Sequence, residues 1–177
     1  MGGERLIHKN MILSILLPVA LASHRPPAWF DPMLAGYKFA YDEKHGSVAV
    51  HDSKTGFFLV REIECDGGIV TLTLTRDRKE VSNMGYTVTG NSPPDSGIPK
   101  VVEKPLPNLS TGKGLSIGDS EANMKSLYGQ PKSVHLDGNA KQFRVCTYKR
   151  KTDANYEASY TFKAGKLIEI SLLRDNE

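Results

Sequence analysis

Cysteine is scarce in this chain, with only Cys65 and Cys146 among 177 residues. That is too few for a framework of several bridges and allows a single intrachain pairing. Neither charge sign dominates, since 23 basic residues face 20 acidic ones for a net charge of +3. A nucleic-acid surface needs a concentrated basic stripe interleaved with aromatics. The nearest stretch is the "YKRK" of Tyr148–Lys151, which reads as a solvated turn, so no nucleic-acid partner is expected. No apolar run reaches the roughly 20 residues of a membrane-spanning helix. What is present suffices for a modest core. Apolar residues make up 39% of the chain, too many for a disordered one. The length suits one domain or two small ones.

The first residues follow a different grammar. Arg5 and Lys9 precede a 12-residue apolar run, Met11–Ala22, which ends in the small residues of "ALAS". A basic n-region, a short h-region and a small-residue cleavage site are the marks of a secretory signal. Residues 1–22 are expected to be removed after Ala22, with Met11 as an alternative start. A buried N-terminal helix is disfavoured by the prolines of "SHRPPAWFDP". No cysteine stands just after the cut, where Ser23 follows Ala22, so no lipid anchor is expected, and the protein is expected in the periplasm or outside the cell. In an oxidising compartment a disulfide persists, which makes Cys65 and Cys146 a candidate pair. Two separate buried thiols are the alternative.

Residues 28–90 form a β-rich N-terminal half. "YKFAYD", "SVAVHD", "GFFLVREIE" and "IVTLTLTR" are rich in β-branched and aromatic residues, and turn-formers separate them. Residues 91–113 read as a proline-rich linker, with half of the ten prolines between Pro93 and Pro107. Residues 114–177 form a third unit that opens on "GLSIGDSEANMKSLYGQPKSV". Ser120 or Asp119 can cap a helix there, and Met124, Leu127 and Tyr128 make one apolar stripe. Gly129 and Pro131 end it. Four strands with short turns follow, and Tyr156, Ala158, Tyr160 and Phe162 share one face. The expected fold class is α+β: a short helix packed on an antiparallel β-meander, preceded by a β-rich N-terminal half. An internal echo also appears. "DGGIVTLTLTRD" (Asp66–Asp77) aligns without gaps on "AGKLIEISLLRD" (Ala164–Asp175), which suggests two related halves.

Motifs with catalytic or binding associations are weak. "GLSIG" matches G-x-S-x-G around Ser116, but a linker rather than a strand leads into it. His135 is its only downstream histidine partner. "TGKG" fails as a phosphate loop, because Pro107 stands at the first glycine and Gly114 follows Lys113. His45, His51 and Asp52 lack metal-ligand spacing, so no metal is expected. "NLS" at Asn108 is a glycosylation acceptor only in a eukaryotic secretory path. No carboxylate pair stands out for acid–base work, and no cofactor is expected.

Gly118–Pro131 resembles the helix of the BamE/SmpA-like outer-membrane assembly lipoproteins, in which a capped, apolar-striped helix closes in G-x-P before a meander. Tyr160–Leu167, "YTFKAGKL", resembles the late hairpin of that family. The likeness covers roughly Gly114–Arg174. The β-lactamase inhibitor proteins look like a tandem version of the same fold, which suits the echo. Two departures are the missing lipid-attachment cysteine and the lack of a matching helix in the N-terminal half. The resemblance implies a protein partner in the bacterial cell envelope. The expected function is therefore an exported, non-enzymatic protein-interaction module. A secreted inhibitor of an enzyme is the alternative, and a small serine hydrolase on Ser116 and His135 is a third reading.

Overall fold

A computed structural model describes residues 26–39, 46–64, 68–88, 99–138, 141–150 and 155–175. A small hairpin comes first, β1 (Met33–Leu34) against β2 (Tyr37–Lys38). Ala35 and Gly36 both take positive φ at its turn, the mirror-image geometry that matches strand twist. Then come β3 (Val48–Asp52), β4 (Phe57–Glu64) and β5 (Ile69–Thr75). Helix α1 (Arg78–Asn83) and β6 (Val101–Glu103) follow. Helix α2 (Glu121–Tyr128) leads into β7 (Ser133–Asp137), β8 (Phe143–Arg150), β9 (Asn155–Lys163) and β10 (Lys166–Asp175).

Strands β3 to β10 make one sheet in the order β6-β3-β4-β5-β10-β9-β8-β7. Only β6 and β3 pair in parallel; all other neighbours are antiparallel. This corrects the expected fold class. The protein is not a short helix on a meander beside a separate β-rich half. It is a β-rich protein whose eight-stranded mixed sheet takes strands from both halves, with two short helices among the described residues. The reason lies in β5 and β10. Each carries an apolar row on one face, Val70, Leu72 and Leu74 on β5, and Ile170 and Leu172 on β10. Each would leave an unpaired edge if its half folded alone. Pairing them satisfies both edges and joins the two apolar rows. Residues 101–111, within the proline-rich stretch, supply β6 and the buried Leu106 and Thr111.

The echo has a geometric counterpart at this junction. Thr73 and Ser171 are equivalent in the two segments, and they also stand directly opposite each other in the β5–β10 ladder. Their hydroxyls meet at 3.0 Å across 98 residues of chain. A local two-fold axis therefore passes between them. The meander β3-β4-β5 lies on one side and β8-β9-β10 on the other.

The main core covers one face of the sheet. Phe57, Leu59, Leu72, Ile170, Leu172, Tyr160 and Phe162 are all buried in it. Helix α2 lies on this face with Met124 and Tyr128 buried and Leu127 half-buried, so the expected stripe is the docking surface. Of the two candidate caps, the Ser120 hydroxyl accepts the Asn123 N–H at 3.2 Å. Gly129 closes the helix at φ 82°, a left-handed position that favours glycine.

An N-terminal latch holds the chain entering this core. Asp31 is buried, and its carboxylate accepts from Met33 N at 3.1 Å, Lys113 N at 2.6 Å and the Tyr128 hydroxyl at 3.2 Å. Tyr128 also shares a hydrogen bond with Thr111 at 2.6 Å. Burial pushes the Tyr128 phenol well above its usual value, so it stays a neutral donor.

A smaller core sits on the opposite face, over β3 and β4. Ala49, Phe58, Val60, Val81 and Tyr86 are buried there, with Val81 coming from α1. No helix is expected here from the sequence. Asp77 starts it by accepting from Lys79 N at 2.7 Å and Glu80 N at 3.2 Å.

Helix α2 is also pinned by charge. Glu121 bonds Arg144 of β8 at 2.6 Å and Lys125 at 2.6 Å. The Arg144 hydrogen bond, followed by that of Lys125, holds its carboxyl below the ordinary 4.5. A lowered acid stabilises the fold fully above its ordinary pKa and loses that contribution as pH falls through the lowered value. Glu121→Gln should therefore be less stable than wild type at neutral pH, with the gap closing in acid. Urea unfolding across that pH range tests this; a gap that is constant with pH would refute the assignment.

Candidate functional site

The face of the sheet opposite the main core is different on its β5-to-β7 side. Alternation places polar residues there because the apolar positions of these strands face the core. Four separate registers align one residue from each of five strands. Thr73 pairs with Ser171, Ser171 with Ser159, Ser159 with Thr147, and Thr147 with Ser133. The result is a straight row of five hydroxyls from the centre of the sheet to its edge. Thr73 is buried, Ser171, Ser159 and Thr147 are half-buried, and Ser133 is exposed. Thr147 and Ser159 share a hydrogen bond at 3.4 Å.

Beside this row lies a groove of about 520 Å³. Phe143, Val145 and Thr161 line it, with four carboxylates, Asp77, Glu80, Asp137 and Glu169, and two cations, Arg76 and Lys163. A bulge in β10 between Leu167 and Glu169 sets this arrangement. Without it, Leu167 and Glu169 would share a face. With it, Leu167 enters the core and Glu169 stays on the groove side. Thr161 donates to Glu169 at 3.3 Å. Burial pushes the Glu169 carboxyl up; the hydroxyl of Thr75 partly counters this, and the charge of Glu80 adds to it. The Lys163 ammonium sits 5.4 Å from the centre of the Phe143 ring. An aromatic ring, short hydroxyls and an excess of carboxylates over cations make a surface suited to hydrogen bonding and to charged groups.

The other candidates from the sequence disperse. The Ser116 hydroxyl turns back to Gly114 O at 3.4 Å, while its N–H bonds Asp119 at 2.8 Å. It lies in the turn before α2, and Gly118 N bonds Leu167 O to fix that turn on the sheet. His135 is exposed on β7, so the structure shows no bond joining the two. His51 is buried, stacks on Phe58 at 4.2 Å and bonds Glu103 of β6 at 2.7 Å. Asp52 accepts from Lys54 N, Thr55 N and Leu106 N. Burial raises its carboxyl, but these bonds outweigh that and hold it below its ordinary value. His45 lies outside the described residues, and among those described no three metal-ligating side chains converge. Lys113 of "TGKG" bonds Ala28 O and lies over the Tyr128 ring, as part of the latch. Asn108 accepts from Ser110 N at 3.1 Å in a local turn.

Cys146 is buried on the face that α2 covers, and burial pushes its thiol up. Cys65, its candidate disulfide partner, lies outside the described residues, as do the expected signal and cleavage site. No helix among the described residues is long and apolar enough to cross a membrane.

Neither the hydroxyl row nor the groove is visible in the sequence alone. "TLTLT" on β5 showed the alternation, but four registers had to be known to align it with Ser133, Thr147, Ser159 and Ser171. No family model, curated protein or solved structure matches the chain.

Proposed function

We propose that this protein is an exported, non-enzymatic interaction module of the bacterial cell envelope, and that it binds a protein partner on its hydroxyl-bearing face. The observation that carries this reading is the row Thr73–Ser171–Ser159–Thr147–Ser133 beside the groove lined by four carboxylates and two cations. Such a face offers many short polar groups on a rigid sheet and one aromatic anchor at Phe143. Those are the ingredients of a polar, water-tolerant interface. The signal-like start at Met11–Ala22 and the resemblance of Gly118–Pro131 to envelope lipoproteins support the location.

Two measurements test it together. Intact mass of the secreted or periplasmic protein should give a chain starting at Ser23. Envelope extract passed over the mature protein should yield a partner that Asp137→Lys and Phe143→Ala no longer retain, while their far-UV spectra match wild type. Retention unchanged by both variants would place binding elsewhere, and an uncleaved cytoplasmic product would remove the envelope assignment. A second reading, a secreted inhibitor of an enzyme, is favoured by the two meanders related across Thr73 and Ser171. It predicts that the captured partner loses activity when bound.

A further inference from the structure

Val102, Val134 and Leu136 are the large apolar side chains left exposed among the described residues, and all three stand on the sheet's two edge strands. Natural sheets block such edges with proline, inward charge, bulges or very short strands, because an open edge is a template for another strand. β6 is blocked by its length of three residues and by Glu103, which is bonded to His51. β7 is not. Its five residues, Ser133-Val134-His135-Leu136-Asp137, are all exposed, contain no proline or lysine, and run against β8 without a register break.

We propose that β7 pairs with β7 of a second copy of this chain, antiparallel about a two-fold axis at His135, joining two sheets into one. The strand is self-complementary in that register alone. Val134 and Leu136 lie on the same side, so each meets the other across the axis, and two Val–Leu pairs form one continuous apolar strip. Ser133 meets Asp137 on the opposite side, and His135 meets its own copy. Charge selects the same direction. Lys132 precedes the strand and Asp137 ends it, so only antiparallel pairing brings opposite charges together. A closed isologous contact of this kind stops at the dimer. A five-residue strand pair buries less than the roughly 1,200 Å² of stable interfaces, so the dimer should be concentration-dependent.

Sedimentation velocity of the mature protein over a wide concentration range should show a monomer–dimer equilibrium. Leu136→Lys should weaken it by about tenfold or more, since each substitution is met twice, while the melting temperature at concentrations where the monomer dominates stays unchanged because Leu136 is exposed. His135→Cys should form an intermolecular disulfide on mild oxidation, because opposed residues in this register bring their Cα atoms within bonding range. Wild type oxidised in parallel controls for Cys65 and Cys146. Val134→Cys should not cross-link to itself but should cross-link to Leu136→Cys in a mixture. A monomer at every concentration, or Val134→Cys self-cross-linking as readily as His135→Cys, would overturn the proposal. A β7 edge that binds an added peptide while the chain stays monomeric would overturn it too.

Discussion

Leu172→Ala is expected to lower stability by about 2–5 kcal/mol and to do so in a single transition for the whole chain. Leu172 is fully buried and stands opposite Leu72 where β5 meets β10. Truncation opens a cavity under α2's side of the sheet, flanked by both meanders. Those neighbours cannot close over it without bending two central strands. Because the strands on either side come from different halves, the loss must be shared. Urea unfolding followed by tryptophan fluorescence, which reports Trp29 on the main core, should coincide with far-UV circular dichroism, which reports all strands. Two separated transitions, with only one shifted, would mean that the halves fold independently and that the β5–β10 ladder is not a structural centre.

Asp31→Ala should cost about 3–5 kcal/mol, although Asp31 lies outside the large sheet. The substitution removes one acceptor and leaves three buried or part-buried donors: Met33 N, Lys113 N and the Tyr128 hydroxyl. A hydrogen bond to a charged group contributes about 1.5–3 kcal/mol, and a buried donor left without a partner costs about 1–3 kcal/mol. Tyr128 keeps Thr111 as a partner, which limits the loss there. Asp31→Asn should recover part of the stability by retaining one oxygen acceptor. Thermal melts of the three proteins test the order wild type, Asp31→Asn, Asp31→Ala. Equal melting temperatures would mean that the N-terminal segment is not latched by this carboxylate. Gly112 belongs to the same latch. A Cβ there would come within 2.7 Å of Asp31 Oδ1 and 2.8 Å of Met33 Cβ.

Local features of the fold were legible in the sequence. Runs rich in β-branched and aromatic residues between turn-formers located β3, β4, β5 and β7 to β10, and the capping and stop residues Ser120 and Gly129 bounded α2. These signals reside in adjacent residues. The pairing of β5 with β10 does not, because nothing local in "TLTLT" or "EISLL" names a partner 98 residues away. The expected fold class failed at that point. Helix α1 is hard to read in the sequence because its single buried apolar residue, Val81, makes no stripe. The Asp77-x-x-Glu80 spacing was the one cue available. β6 lay hidden among prolines, where three residues are too few to alternate. The bulge near Ile168 breaks the alternation of "KLIEISLL", so its inward residues, Leu167 and Ile170, are three apart. The candidate surface inherits all of these limits. Its hydroxyls were visible one strand at a time, and only the ladder order makes them a row.

The position of β10 also sets the order in which this protein can be made. At about 5–20 residues per second, Ser171 is synthesised roughly 5–20 s after Thr73, the residue it must meet. Through that interval β5 has no neighbour on one side, and the central pairing, being long-range, is slow even once both strands exist. The first meander is therefore made with an open edge, the kind of edge at which strands mispair. A sheet whose middle is completed last therefore reaches its native order only when translation is nearly over.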